Sequence, residues 1–200
     1  MQTFAKNPAL LVMDVQKGFD EPQWGRRNNP QMETRIGELL LAWRSSQLPV
    51  IHVQHMSTHP DSPLRQGLPG NDFKDCAQPR DGETIIRKSV NSGFIGTSLD
   101  DLLRRQGYSC LVVVGMTTNH CISTTARMAG NLGFDAWVVA DATATFDRTG
   151  PDGIVYPAEL IHAIALSDLH GEFANVADSA TKLAAMETFV SPLAACAVHP

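Results

Sequence analysis

Short apolar runs alternate with amphipathic segments along almost the whole chain, and this alternation restricts the folds that the chain can adopt. Runs with the length and composition of buried strands lie at 9–14, 48–55, 84–87, 111–114, 136–140 and 173–176. Segments with helical spacing separate them, such as 31–47, where Ile36, Leu39 and Trp43 share one face. Strands separated by helices form a parallel sheet covered on both faces. We therefore predict an α/β protein with a Rossmann-like, three-layer αβα fold and a mostly parallel sheet of about six strands.

The length and composition of the chain fit a single domain. It has 200 residues, of which 43% are hydrophobic, and this is enough to bury a core. The last periodic segment begins at Ser179, with Asp178 as its cap, and ends near Met186. No periodicity follows it. We predict one domain at 1–190 and a C-terminal tail at 191–200.

The charge pattern argues against a nucleic-acid partner. The net charge is −5, and basic residues cluster only in short pairs, Arg26-Arg27 and Arg104-Arg105. The first residues lack the apolar stretch of a signal peptide, and no window approaches the ~20 apolar residues of a membrane span. The four cysteines show no CxxC spacing. We expect a cytoplasmic protein whose partner is a small molecule, with no nucleic acid and no membrane.

Cys121 lies where a strand gives way to a helix. The strand at 111–114 stops at Gly115, and Met-Thr-Thr-Asn-His separates this glycine from the cysteine. Unpaired backbone N–H groups and the positive end of the helix dipole favour a thiolate at such a place. Most cysteines are small buried apolar residues, as we expect of Cys110 at the start of the strand. Cys121 follows the strand among polar residues and is therefore a candidate nucleophile.

Two further apolar runs end in charged residues. Asp14 ends the first run, and Lys88 ends the run at 84–87. Each has a structural alternative, since Asp14 could cap the next turn and Lys88 could be a solvated strand end. However, the carboxyl ends of parallel strands share one edge of a sheet, where ligand sites form. An acid, a base and a thiol are therefore expected to converge there.

These residues belong to segments that resemble the isochorismatase-like cysteine hydrolases. That family includes nicotinamidases, N-carbamoylsarcosine amidase, biuret hydrolase and ureidoacrylate amidohydrolase. The resemblance covers about 9–176, and its carriers are Leu-Val-Met-Asp14-Val-Gln, Lys88 followed by Asn-Ser-Gly-Phe-Ile-Gly-Thr97, Gly115-Met-Thr-Thr-Asn-His-Cys121, and Asp141. It implies that Asp14, Lys88 and Cys121 form a catalytic triad.

The resemblance also implies the rest of the catalytic apparatus. It places a cis peptide bond at Met116–Thr117 and an oxyanion hole formed by the backbone N–H groups of Thr117 and Cys121. It implies hydrolysis of a C–N bond in a small amide, carbamoyl or ureido substrate through a thioester. It further implies a homo-oligomer, either a dimer or a tetramer.

The sequence departs from the metal-dependent members of the family. Nicotinamidases that use a metal carry Asp-x-His after the second strand, and the corresponding residues here are His55-Met56-Ser57. Side chains alternate along a strand, so His52 and His55 should face opposite sides of the sheet. His59 lies beyond the strand, and we expect it at the surface. We predict neither a metal site nor a cofactor.

Five residues just beyond strand ends are candidates for substrate binding, and they are Phe19, Trp24, His55, Asn119 and Phe146. Each also has a purely structural explanation. The three aromatic residues could anchor loops, Asn119 could cap the helix of the nucleophile, and His55 could be a buried polar residue with its hydrogen bonds satisfied. As a set they lie on the edge where the triad should converge, so we predict that they line a pocket.

Three functions remain open from the sequence. The first is the thiol amidohydrolase. The second is a hydrolase of another bond, because isochorismatases proper cleave a vinyl ether, although they lack the nucleophilic cysteine. The third is a binding or redox-sensing module in which Cys121 is oxidised instead of acylated. Asp14 and Lys88 beside the thiol favour acyl chemistry.

Overall fold

A parallel six-stranded sheet forms the centre of the molecule in the computed structural model, which describes the backbone of residues 7–196 and the side chains of residues 7–189. In chain order the strands are β1 (Pro8–Met13), β2 (Val50–His55), β3 (Thr84–Lys88), β4 (Cys110–Met116), β5 (Asp135–Ala144), β6 (Arg148–Thr149), β7 (Val155–Tyr156) and β8 (Asn175–Ala177). The order across the main sheet is β3-β2-β1-β4-β5-β8, and β6 and β7 form a separate antiparallel hairpin.

The strand order creates a crevice beside β1. This first strand pairs in parallel with β2 on one side and with β4 on the other, so that Leu10 lies opposite both Val50 and Val112. The chain therefore runs outward from β1 through β2 to β3, and then crosses back to place β4 on the other side of β1. In doubly wound sheets, ligands bind at the carboxyl ends of the strands where this reversal occurs. The prediction of a parallel, Rossmann-like sheet of about six strands is confirmed.

Helices cover both faces of the sheet. They are α1 (Met32–Ser45), α2 (Leu99–Gln106), α3 (Ser123–Asn131), α4 (Ala158–Leu169) and α5 (Ser179–Cys196). One core joins α1 and α5 to the sheet through residues such as Trp43, whose indole N–H donates to the Pro8 carbonyl at 2.9 Å. The other joins α2, α3 and α4 to the opposite face through residues such as Leu103. Within residues 7–196, no helix has the length and apolar character needed to cross a membrane.

Three elements differ from the sequence predictions. The helix after β4 begins with a wide π turn at Thr118–Ile122, and β5 continues to Ala144 instead of stopping at Ala140. Helix α5 extends past Met186 to Cys196, so the predicted tail begins with helical residues, and its last residues, 197–200, lie outside the described chain. Leu193, Ala194 and Ala195 have high helix propensity, whereas Pro192 in the same stretch disfavours a helix interior.

Candidate active site

Asp14, Lys88 and Cys121 meet at the carboxyl edge of the sheet. Asp14 follows β1, Lys88 ends β3, and Cys121 lies in the π turn after β4. The Lys88 ammonium nitrogen lies 2.7 Å from Asp14 Oδ2 and 3.2 Å from Cys121 Sγ. All three side chains are buried. The structure therefore brings together the three residues that the sequence singled out.

The backbone around β1 and β4 explains this convergence. Asp14 adopts a left-handed conformation with φ 51°, and its N–H donates to the Val53 carbonyl at 2.8 Å. Gly115 has φ 118°, and a Cβ atom at this position would lie 1.9 Å from the Met13 carbonyl oxygen. Only glycine fits such a close approach of two backbones. The approach holds the end of β4 against the end of β1, so the turn with Cys121 begins beside Asp14.

The Lys88 ammonium is the centre of the site. Besides Asp14 and Cys121, it lies 3.0 Å from Nδ1 of His55. A carboxylate oxygen of Asp14, a ring nitrogen of His55 and Cys121 Sγ lie within 4.8 Å of one another, a spacing that could hold a metal ion. In this site Lys88 contacts all three groups and itself supplies the positive charge between them.

The charges of the site set the protonation of its groups. Burial opposes the charge on Lys88, but the Asp14 carboxylate and Cys121 outweigh it and raise the pKa of Lys88, which stays an ammonium. Burial raises the pKa of the Cys121 thiol, and the Asp14 carboxylate raises it further, while Lys88 lowers it only in part. These two influences outweigh the stabilisation of a thiolate that we expected from the turn. The resting cysteine is a thiol, because it is buried beside a carboxylate.

One carboxylate oxygen of Asp14 has no hydrogen-bond partner among the described residues. Lys88 donates a hydrogen bond to Oδ2, and the oxygen that is buried without a partner is Oδ1. Burial of an oxygen without a hydrogen bond costs free energy, and buried polar oxygens normally accept one. An exception of this kind points to a functional role. Cys121 also has a long contact of 3.8 Å to Oδ1 of Asn91. The free Asp14 oxygen is the stronger proton acceptor available to the thiol.

A cavity of about 110 Å³ opens onto Cys121. This volume is small beside the ~300–1,000 Å³ of typical ligand pockets, which limits the site to a small substrate. Thr117 and Cys121 both line it, and the Met116–Thr117 peptide bond is cis. Two larger grooves, of about 550 and 650 Å³, lie elsewhere and contain none of the three triad residues.

Three aromatic rings form one wall of the cavity. The ring centroid of Phe19 lies 5.2 Å from that of Trp24, and Phe146 stacks on Trp24 at 5.6 Å. The Trp24 indole N–H donates to the Gly18 carbonyl at 2.8 Å, which fixes the orientation of this ring. The rings therefore both anchor the loops and present an apolar surface to the cavity.

Comparison with known proteins identifies the family. The family model of the isochorismatase domain matches residues 8–181. The chain belongs to the isochorismatase family. It is 45% identical over 168 residues to the isochorismatase family protein YrdC of Bacillus subtilis, a match that covers 84% of this chain and 90% of that protein.

Two solved structures of the isochorismatase family support this assignment. A family member from Chromobacterium violaceum superposes with a TM-score of 0.91 at 45% identity, over 94% of this chain and 97% of that one. N-carbamoylsarcosine amidase from Thermoplasma acidophilum superposes with a TM-score of 0.68 at 25% identity, over 87% of this chain and 97% of that one. The fold and the resemblance found in the sequence are thereby confirmed.

The histidines of this isochorismatase-family protein lie as strand alternation predicts. His55 lines the cavity, whereas His52 points to the other side of the sheet and contacts Glu83 at 2.8 Å. Burial and then the Lys88 charge lower the pKa of His55, which leaves a neutral imidazole. Because Lys88 donates to Nδ1, the proton of this ring belongs on Nε2. His59 is exposed at the surface.

The structure places Asn119 outside the described residues that line this cavity. Its Oδ1 accepts a hydrogen bond from the Thr145 hydroxyl at 2.5 Å, and it lines the groove between α3 and α4 instead. Side chains two positions apart on a helical turn point in different directions, so Asn119 and Cys121 cannot face the same cavity. The other four predicted residues, Phe19, Trp24, His55 and Phe146, do line it.

Sequence reasoning missed several lining residues, and they are Leu64, Asn91, His120, Thr145 and Arg148. His120 and Arg148 carry the clearest chemical signal. His120 directly precedes the nucleophile, and Arg148 is a cation in the loop after β5. Their spatial relation depends on how that loop folds back over the turn after β4, which local patterns do not specify.

Proposed function

We propose that this isochorismatase-family protein is a cysteine hydrolase that cleaves a C–N bond in a small amide, carbamoyl or ureido substrate. The Asp14 carboxylate carries the proposal, because one of its oxygens lies within 4.8 Å of the Cys121 sulfur and its Oδ1 is buried without a hydrogen-bond partner among the described residues. A carboxylate that has an unoccupied oxygen and lies close to a protonated nucleophile has the properties of a general base. The similarity to N-carbamoylsarcosine amidase, whose name describes C–N bond cleavage, gives independent support.

In the first half of the reaction, Asp14 takes the proton of Cys121 as the sulfur attacks the substrate carbonyl. The Lys88 ammonium, 3.2 Å from the sulfur, stabilises the anionic thiolate while it forms. Negative charge then passes to the carbonyl oxygen of a tetrahedral intermediate. We assign the backbone N–H groups of Thr117 and Cys121 as the donors that stabilise this oxygen.

Collapse of the intermediate breaks the C–N bond. Asp14 returns its proton to the departing nitrogen, which leaves as ammonia or an amine, and a thioester remains on Cys121. Asp14 then takes a proton from water, and the resulting hydroxide attacks the thioester. The products are the acid and the regenerated thiol, so one water is consumed for each C–N bond cleaved.

The alternatives account for less of the geometry. Hydrolysis of a vinyl ether requires no thiol and gives Cys121 no role. For a redox sensor, oxidation begins from an accessible thiolate, whereas Cys121 is 7% exposed and its pKa is raised. Cys110 lies at the start of β4, at the opposite end of the strand, so it is not placed to form a disulfide with Cys121.

Substitution of the nucleophile tests the proposal. Cys121→Ala and Cys121→Ser should abolish ammonia release from a panel of small amides and ureides, because a hydroxyl is ionised too weakly to replace sulfur here. Mass spectrometry of the wild type with an electrophilic amide analogue should show one adduct at Cys121. Cys76→Ala, at a half-buried thiol outside the cavity, is the control and should remain active. Hydrolysis by Cys121→Ala at the wild-type rate would refute the mechanism.

A further inference from the structure

Among the described side chains, Arg148 is an unpaired cation at the rim of the cavity. It begins β6, is exposed to solvent and lines the same cavity as Cys121. Within residues 7–189, no carboxylate forms an ion pair with its guanidinium, and no hydrogen bond holds it. An arginine that lines the same cavity as the proposed nucleophile and has no acidic partner is available to bind a ligand anion.

Two acidic residues near the base of the hairpin, Asp147 and Glu159, are both bound by Arg26. Arg26 lies 2.8 Å from Asp147 Oδ1 and 2.6 Å from Glu159 Oε2. The Ala158 N–H also donates to Asp147 at 2.7 Å. These contacts hold both carboxylates on Arg26, and neither of them forms an ion pair with Arg148.

The hairpin holds Arg148 in a defined place. Arg148 pairs with Tyr156 across the two strands. In the turn, Asp152 accepts hydrogen bonds from the Tyr156 hydroxyl at 2.6 Å and from the Ile154 N–H at 3.0 Å. A guanidinium on a preformed hairpin loses less conformational freedom on binding than one on an unstructured loop.

The side chains that line the cavity carry a net positive charge, although the protein as a whole has a net charge of −5. None of the described side chains that line it is acidic, and Arg148 is its only lining residue with a permanent charge. Burial, and then the charge of Arg148, lower the pKa of His120, so this neighbour is a neutral imidazole that can donate one hydrogen bond. Asp14 lies behind the cavity and is paired with Lys88.

We infer that the substrate carries an anionic group, a carboxylate, which Arg148 binds at the rim with His120 beside it while Cys121 attacks the amide or ureido carbonyl. This inference rests on the proposed function for the reacting group. The small volume of the cavity requires a short chain between the carboxylate and the scissile carbonyl. Arginine suits this task because its planar fork donates two hydrogen bonds to one carboxylate.

Matched substrates test the inference. Succinamate and N-carbamoylglycine carry the carboxylate, and their methyl esters lack the charge. The wild type should prefer each acid to its ester in kcat/KM, and Arg148→Gln should reduce this preference about tenfold or more, mainly through KM for the acid. Arg148→Lys should retain part of it. Arg105→Gln, at an exposed arginine on α2, is the control and should leave the preference unchanged.

Alkylation of Cys121 provides a readout that does not depend on amide hydrolysis. The ratio of the rates with iodoacetate and iodoacetamide should fall in Arg148→Gln and should fall in the wild type at high salt, which screens the attraction. A lower ratio without turnover of any amide would support the anion site and refute the proposed function. If Arg148→Gln hydrolysed amides with an unchanged acid-to-ester preference and an unchanged iodoacetate-to-iodoacetamide ratio, the anion site would be refuted and the proposed function would remain intact.

Discussion

Lys88 shows how one side chain can organise a whole site. Its ammonium contacts a carboxylate, a thiol and an imidazole in the interior of the protein. A buried ion pair of this kind adds little net stability, because the cost of removing both charges from water offsets their attraction. Loss of one partner is different, since it leaves a buried charge uncompensated. The pair with Asp14 is therefore best explained by chemistry.

Substitutions of the pair should be strongly non-additive. Asp14→Asn removes the proposed general base, and Lys88→Met removes the charge that we propose stabilises the thiolate, so each should lower kcat/KM by about 10²–10⁴. The double variant should lose little more than the worse single variant. It should also unfold at a higher temperature than Lys88→Met, because no unpaired charge remains buried. Steady-state kinetics and thermal unfolding measure both effects, with Asp61→Asn, at an exposed carboxylate, as the control. Rate losses that simply add would separate the two roles.

The protonation of Cys121 shows the limit of sequence reasoning at this scale. The convergence of Asp14, Lys88 and Cys121 was predictable, because each follows an apolar run and the carboxyl ends of parallel strands share one edge. The state of the thiol was not, because its pKa depends on burial and on a carboxylate 107 positions earlier in the chain. The local sequence around Cys121 indicates the helix terminus, but it does not indicate the burial of the thiol or the distant carboxylate.

At the scale of elements, the approach of β4 to β1 is the most constrained feature of the sheet. Gly115 allows it, since an added Cβ would overlap the Met13 carbonyl oxygen. At the carboxyl edge of the same strand pair, Asp14 follows β1 and the turn with Cys121 follows β4. Stability of the sheet and geometry of the site therefore depend on one glycine.

Gly115→Ala should destabilise the protein by more than about 4 kcal/mol or prevent folding, because two backbones would have to separate. Gly133→Ala is the matched control. Its φ is 85°, but no atom lies within 4 Å of the added Cβ, so its cost should stay near the ~1–2 kcal/mol of left-handed strain. Urea unfolding with circular dichroism compares the two. Equal losses of unfolding free energy in the two variants would show that the contact with β1 does not determine the cost of Gly115→Ala.

The elements differ in how far the sequence predicts them. The strands of the main sheet and four of the helices follow from apolar periodicity, because each must bury one face or both. The hairpin of β6 and β7 has only two residues in each strand, and contacts such as that of Arg26 with Asp147 hold its base. No local sequence pattern specifies a contact between two residues that are 121 positions apart. Arg148 and its place in the cavity were missed for this reason.

At the scale of the whole molecule, a second buried cluster lies at the edge of the sheet opposite the site. Cys110 begins β4 and pairs with Asp135 at the start of β5, and Lys182 reaches this region from α5. The Lys182 nitrogen lies 3.0 Å from the centre of the Trp137 ring. Burial lowers the pKa of Lys182 to about 8, although Cys110 and Asp135 oppose the shift. The lysine couples α5 to the sheet at the cost of a buried charge.

This cluster predicts a pH dependence of stability that is separate from catalysis. Between about pH 8 and the ordinary lysine value of 10.5, the folded protein has lost the Lys182 proton while the unfolded chain retains it, so this group makes folding more favourable as pH rises. Other groups titrate in the same range, and the comparison with Lys182→Met isolates the lysine. The free energy of unfolding of the wild type, measured in urea, should increase relative to that of Lys182→Met from about pH 7 to about pH 10. Lys17→Met, at an exposed lysine, should show no such trend. A constant difference between wild type and Lys182→Met would mean that Lys182 keeps its proton in the folded protein throughout this range.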